Sequence, residues 1–323
     1  MNPYQSTVDF LLAIPAMQAW PELRTLLTQA ATREPRHWQL PVRACKAVGE
    51  SADQATPAVA AIACAQISIL LIDDMLDEDP RGEYHRAGPA KTANYAAAFQ
   101  AAGLEALLGN KWQSNSKLSA LQNINAMILV LALGQHLDAQ ASVDEAVYWK
   151  VVEYKSASFF GTAFYLGALA GRASKTTITK LEQIGRLYGG MIQIHDDLND
   201  SIAIPANPDW LQGRSPLPIL FAKAVDHPER PRFLELCEAI TDESALREAQ
   251  DILVRCGAVS YCVDQLLRRY QSAKEILRTI ELVRPDSIEG LLEEVVAPVW
   301  KLFDAIGLSL PGVATPQGQA DRG

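Results

Sequence analysis

The chain has 323 residues, 49% of them hydrophobic and 21% charged, enough for a large core in one domain or two. A net charge of −9 and a pI near 5.1 count against nucleic acid as a partner. Five cysteines, at 45, 64, 237, 256 and 262, have neither CxxC nor Cys/His metal spacing; they read as buried thiols of a reducing cytoplasm, not as a disulfide framework or a zinc site.

The opening MNPYQSTVDF has no basic segment ahead of an apolar one, so no signal peptide is expected. Residues 6–32 follow helical spacing interrupted at Pro15 and Pro21, and a further helix is expected from Pro41 to Gly49. Thr56-Pro57 then opens the most apolar stretch of the chain. Fifteen residues from Ala58 to Ile72 carry no charge, and five acids fall within the next seven positions. Such a stretch is a helix that buries itself, ending in a concentrated negative charge. A turn-rich loop, 79–90, holds Arg81, His85 and Arg86.

Helices are expected over 91–109 and 117–133, the second running into GQHLD, where Gln135 and Asp138 close its polar end. Asp144 and Glu145 suit the N-terminus of a helix over 143–171, and Lys155 lies inside it among apolar neighbours, where its head either reaches water or meets a partner. The helix over 177–200 holds a second acidic cluster and is followed by the loop SIAIPANPDWLQGRSPLP. Further helices are expected near 216–226, 229–240, 242–256, 258–282 and 287–306. Almost nothing reads as strand. The fold class is therefore all-α, a helical bundle with a central cavity spanning 1–308, with a disordered tail at 309–323. The apolar runs near 58–72 and 157–170 are too short to cross a bilayer, so a soluble protein without a transmembrane segment is expected.

The two acidic clusters share one figure. Asp73 and Asp77 stand four apart, as do Asp196 and Asp200, so each pair lies on one helix face with about 5–6 Å between Cβ atoms. Two like charges at the end of a buried helix repel unless a cation sits between them. With Asp74 and Asp197, the clusters offer six carboxylates and no sulfur or imidazole triad, a hard-ligand set that suits Mg²⁺ over Zn²⁺. Mg²⁺ is usually held by a few carboxylates, water and substrate phosphates, so two such clusters across one cavity would clamp a diphosphate. Lys155, Arg81 and Arg214 are the natural phosphate partners. The adjoining helices are rich in Ala, Ile, Leu and Phe, so the rest of that substrate is hydrocarbon. A diphosphate on an apolar tail is an isoprenoid diphosphate, whose departure leaves an allylic cation in a dry pocket.

Over about residues 25–300 the chain resembles the trans-isoprenyl diphosphate synthase, or polyprenyl synthetase, family. Asp73-Asp74-Met75-Leu76-Asp77 is similar to its first aspartate-rich motif and Asp196-Asp197-Leu198-Asn199-Asp200 to its second. Gly134-Gln135-His136-Leu137-Asp138 resembles its GQxxD element, Lys155-Ser156 its Lys-Thr pair, and Gln193 stands ahead of the second motif as in the family. Gly213-Arg214-Ser215-Pro216-Leu217-Pro218 resembles GKxTLP with arginine for lysine. The resemblance implies an all-α isoprenoid synthase fold, a homodimer, three Mg²⁺ ions on the aspartates, and an allylic diphosphate bound by Lys155, Arg81, Arg214 and Gln193.

The pattern also departs from the family. Where the isopentenyl diphosphate loop reads GGKRxRP, this chain has Pro35-Arg36-His37-Trp38-Gln39-Leu40-Pro41, and the family histidine seven residues before the first aspartate is Gln66. The Arg-Arg pair after the first motif has become Arg81 alone. Arg36 and Arg43 are the cations left to compensate. By the same resemblance, Ile69 and Ser68 floor the pocket for the growing tail, with Ala65 and Ala61 one and two turns deeper. Small residues there imply an allylic substrate or product of C15 or longer, or else simply close helix packing.

Three readings follow. One is a Mg²⁺-dependent prenyltransferase joining the allylic cation to isopentenyl diphosphate or another acceptor. The second is a terpene synthase, in which aromatics such as Phe159, Phe160, Phe164 and Tyr165 would steady the cation while it cyclises or meets water. The third is a non-catalytic partner subunit, disfavoured because both acidic clusters are intact. His136 and His195, lacking a second ligand at metal spacing, are expected to make hydrogen bonds beside the motifs.

Overall fold

A computed structural model describes residues 3–140, 144–211 and 216–305. Arg214, the loop around it and the 309–323 tail lie outside the described residues. No strand occurs among the described residues, as expected for an all-α chain.

Seventeen α-helices follow one another among the described residues. The first four are α1 (Pro3–Leu12), α2 (Pro15–Ala19), α3 (Pro21–Thr32) and α4 (Leu40–Ala47). The next four are α5 (Thr56–Leu76), α6 (Tyr84–Ala87), α7 (Pro89–Leu108) and α8 (Ser114–Asp138). Then come α9 (Glu145–Val152), α10 (Ser158–Ala170), α11 (Lys175–Ile202) and α12 (Pro208–Leu211). The last five are α13 (Leu217–Ala224), α14 (Arg230–Glu238), α15 (Glu243–Arg255), α16 (Ala258–Arg278) and α17 (Asp286–Ala305).

Proline sets several of these starts. Pro15, Pro21, Pro57 and Pro89 occupy the first turn of their helices, where the missing N–H costs nothing. Other starts are capped by side chains: Asp144 Oδ1 accepts from Ala146 N, Ser174 Oγ from Thr177 N, and Asp242 Oδ1 from the backbone of Ser244 and Ala245.

Over residues 57–65 helix α5 is apolar on every side because that stretch is buried on every side. Ala58, Ala61, Ile62 and Ala65 enter the main core with α8, α10, α11 and α16. Val59, Ala63, Cys64, Ile67 and Leu71 enter a second core with α1, α3 and α7. The helix runs beyond the apolar run of 58–72 read from the sequence. Over Ala52–Leu76 it has the length and composition to cross a membrane, as does Ser114–Asp138, but 72% of its apolar window is packed inside the protein. A third core, built on Phe233, Leu246 and Ile252, joins α12 to α15 into a satellite lobe.

The helix expected over 143–171 is two helices joined by a π-turn, Glu153–Ala157, with Lys155 at its centre. A π-turn inserts one residue into the helical ladder and turns the following side chains onto a new face; such turns concentrate at functional sites. Bare glycine backbone brings the neighbours close. A Cβ on Gly189 of α11 would stand 2.9 Å from the Ser156 carbonyl oxygen, and one on Gly167 of α10 would collide with Pro41.

Candidate active site

The π-turn sits between the two acidic clusters and touches both. On one side the Lys155 ammonium donates to Asp138 Oδ2 at 2.6 Å and stands 4.0 Å from Asp73 Oδ1. On the other, Ser156 Oγ donates to Gln193 Oε1 at 2.6 Å, and Gln193 Nε2 donates to Asp197 Oδ1 at 2.9 Å. Two consecutive residues thus link the end of α5, the GQHLD end of α8 and the acidic turn of α11. Burial alone would pull the Lys155 pKa down, but Asp73 and Asp138 outweigh it and hold the ammonium above its ordinary value.

The first cluster is short of donors. Asp73 Oδ1 is buried and has no hydrogen-bond partner, since Lys155 is too distant to supply one. Burial pushes the Asp73 carboxyl up to about 6 against the pull of Lys155, with Asp77 and Asp138 adding to the rise. Burial, then Asp200 and Asp197, also raises Asp196, to about 6, although that residue keeps a solvent-exposed surface. Asp200 is raised by burial, against a hydrogen bond from Asn207.

Asp197 differs from its neighbours. It is 5% exposed and fully engaged: Tyr148 Oη donates to Oδ2 at 2.6 Å, the Leu217 amide to the same oxygen at 2.8 Å, and Gln193 to Oδ1. Burial raises its pKa and these donors oppose the rise. Nothing in the local sequence announces Tyr148, which lies 49 residues away from its partner.

The remaining site residues divide. Ala65, Ser68 and Ile69 line a cavity of about 280 Å³ between α5, α7 and α8, closed by Met127, Leu131 and Gln135. Within it Gln100 Nε2 donates to Ser68 Oγ at 3.0 Å, a polar pair in an otherwise apolar wall, while Gln135 Oε1 is buried without a partner. Ala61 does not line this cavity; its carbonyl would stand 3.3 Å from a Cβ on Gly103, so it serves the α5–α7 packing. Asp74 lines a separate cavity of about 550 Å³ with Arg33, Asp79 and Arg81. Arg81 is exposed and held in a two-pronged pair by Asp79, with contacts of 3.0 and 2.7 Å, away from Lys155. The two histidines make hydrogen bonds as expected, His195 Nε2 with the Val295 carbonyl at 2.6 Å and His136 with Gln140 at 3.0 Å.

The loop at 35–41 is packed rather than open. Trp38 is fully buried, and its indole N–H donates to Gln66 Oε1 at 2.7 Å. His37 meets Phe159 and Phe160 edge-on, with ring centroids 6.3 and 5.1 Å away, and burial lowers its pKa, so the imidazole is neutral at pH 7. Arg43 lies 3.9 Å from Glu294, which offsets its charge.

The donor set fits a hard divalent cation. The buried, unpartnered Asp73 oxygen has the character of a ligand awaiting an ion, and carboxylate oxygens are what Mg²⁺ selects. Among the described residues no three acid, His or Cys side chains converge tightly enough to hold an ion alone. Water and substrate oxygens would therefore complete the coordination.

The Polyprenyl synthetase family model matches residues 28–253. The chain is 27% identical over 254 residues to a short chain isoprenyl diphosphate synthase of Methanothermobacter thermautotrophicus, covering 73% of this chain and 77% of that one. It is 25% identical to a geranylgeranyl diphosphate synthase of Methanosarcina mazei, covering 73% and 76%. In fold it superposes on the geranylgeranyl pyrophosphate synthetase of Pyrococcus horikoshii with a TM-score of 0.79 at 21% identity, over 90% of this chain and 95% of that one. A polyprenyl synthase of Caulobacter crescentus, solved with calcium and isoprenyl diphosphate, superposes at 0.74 and 20% identity, over 90% and 97%. The chain belongs to the polyprenyl synthetase family of prenyl-transferring enzymes.

Proposed function

We propose that this enzyme is a Mg²⁺-dependent prenyltransferase that ionises an allylic prenyl diphosphate of C15 or longer and forms a new C–C bond to the resulting cation. The observation that carries the reading is Lys155 on its π-turn between two aspartate clusters, beside a buried carboxylate oxygen with no partner. The similar enzymes are named prenyl diphosphate synthases, and the Caulobacter structure holds a divalent cation with an isoprenyl diphosphate. Asp73, Asp77, Asp196 and Asp200 would hold the ions, three in number, with Asp74 at the outer edge. When bound, Mg²⁺ neutralises diphosphate charge and makes the group a better leaving group.

The chain's own groups do the rest. Lys155 lends its ammonium to the diphosphate oxygens, and its pairing with Asp138 fixes where that charge stands. Gln193 and Ser156 keep the π-turn in register with α11. Arg214 would bind phosphate from the loop before α13, and Arg81 would do so on leaving Asp79. The tail occupies the cavity beside Ser68 and Ile69. Ser68→Phe should therefore shorten the main product by at least one isoprene unit; an unchanged product profile would remove the tail from this cavity. The uncharged face of α8, with Leu118, Leu129 and Leu133 exposed at 56%, 70% and 47%, favours a homodimer.

One observation favours a second reading. Trp38, Gln66 and His37 form a neutral, packed aromatic cluster where a diphosphate acceptor would need cations, and Glu294 offsets Arg43. That suits a terpene synthase, in which the cation is captured by its own double bonds or by water. Incubation with farnesyl or geranylgeranyl diphosphate and Mg²⁺, with and without isopentenyl diphosphate, separates the two. A longer diphosphate formed only with isopentenyl diphosphate supports elongation; a hydrocarbon or alcohol formed without it supports the second reading; no diphosphate release in any arm overturns both.

A further inference from the structure

On the far side of the π-turn from Asp73, a cleft of about 260 Å³ opens between α9, α11 and α16, lined by Trp149, Glu153, Ala157, Arg186, Gly190 and Arg269. Its two guanidinium groups are not equivalent. Arg186 is neutralised: its Nε donates to Glu153 Oε1 at 3.0 Å, its Nη2 contacts the same oxygen, and Glu182 stands 4.0 Å away. Arg269 has no carboxylate partner among the described residues. Its Nη1 donates to the carbonyl and the side-chain oxygen of Gln265, at 2.8 and 3.0 Å, and both acceptors are neutral.

The Arg269 guanidinium lies 3.9 Å from the centroid of the Trp149 ring, and that stacking fixes its plane. Gly190 makes room for this side chain: a Cβ there would stand 3.0 Å from Nε and 3.1 Å from Cδ. The N–H groups on Nε and Nη2 have no acceptor among the described residues. Burial pulls the Arg269 pKa down, opposed by Tyr148 and Tyr261, as expected of a half-buried charge without a counter-ion. Two parallel N–H groups on a plane held by an indole are a fork for two oxygens of one anion.

We propose that this cleft is a second anion site, separate from the aspartate clusters, which binds a small phosphate-class anion on the Nε–Nη2 edge of Arg269 against Trp149. The cleft is larger than a lone carboxylate needs, and with Arg186 neutralised by Glu153, Arg269 is the cation of its lining that has no carboxylate partner among the described residues. Orthophosphate and diphosphate share the required chemistry. The site does not depend on metal, because Arg269 supplies its charge, and in that it differs from the catalytic cavity. Lys155, Arg81 and Arg214 could also take a phosphate without metal, so the part of the uptake lost on substituting Arg269 is what reports on the cleft.

The test is calorimetric titration of the full chain, in chelator-treated buffer, with orthophosphate in one arm and diphosphate in the other. Wild-type protein should take up at least one of them at a single saturable site, and Arg269→Gln should weaken that uptake at least tenfold. Arg269→Lys, which keeps the charge but loses the planar fork, should fall between them and covers the case in which the glutamine variant does not fold. No saturable uptake of either anion, or equal uptake by wild type and the variants, would overturn the site. Diphosphate release from an allylic substrate is a separate readout: its loss would speak against the proposed reaction and leave the cleft standing.

Discussion

The two aspartate clusters carry the same D-D-x-x-D letters and end in different environments. In α5, Asp73 is buried beside a lysine that stops 4.0 Å short, with one oxygen lacking any partner. In α11, Asp197 is more deeply buried and receives donors from Tyr148, Gln193 and the Leu217 backbone. A buried carboxylate oxygen without donors is costly and persists where something else is to fill it; a carboxylate whose two oxygens share three donors holds its surroundings together. On the proposed reading the same residue type has two jobs, ion clamp for Asp73 and scaffold for Asp197, and hydrogen-bond supply separates them.

The largest expected effect breaks the clamp. Asp73→Asn should lower diphosphate release by about 10³-fold or more, an effect the size of removing a main electrostatic catalyst. Stability of the metal-free protein at pH 7 should rise, by about 2 kcal/mol, because the substitution removes a charge whose burial pushes the carboxyl up to about 6. Urea unfolding beside a release assay checks both. Asp197→Ala should do the reverse in emphasis. It strands three buried donors and should cost about 3 kcal/mol in unfolding free energy.

The contrast also has a pH signature. The folded Asp73 carboxyl is raised to about 6 from an ordinary 3.8, so between those values the native state holds a proton that the unfolded chain has lost. Its contribution to stability is full below about pH 3.8 and is lost as pH rises through 6. The metal-free protein should therefore be more stable at pH 5 than at pH 7, by about 1 kcal/mol from this group, with added Mg²⁺ raising stability most at pH 7. Calorimetric melting with and without Mg²⁺ reads this directly. The smallest effect sharpens the scaffold side: Tyr148→Phe removes one of three donors to Asp197 and should cost about 1 kcal/mol in the same unfolding assay.

Much of this was legible before any coordinates. Pro15 and Pro21 divide the first helices where expected, Asp144 caps α9, and the charge-free run before Asp73 is the twice-buried α5. Ala65, Ser68 and Ile69, taken as pocket residues from the family resemblance, line one cavity, whereas Ala61 at the same helical spacing packs against α7 instead. The π-turn was not legible, because one inserted residue leaves the hydrophobic period on either side intact. Tyr148–Asp197 joins residues 49 apart and has no local signature. The pairing of Arg81 with Asp79, by contrast, lies two residues away and could have been read as a local ion pair.

The most direct test of the account is diphosphate release from farnesyl diphosphate as Mg²⁺ is titrated, comparing wild type with Asp73→Asn. The account predicts saturable, Mg²⁺-dependent release by wild type and almost none by the variant at any Mg²⁺ concentration. Equal release by the two proteins, or release that continues undiminished in chelator, would contradict it.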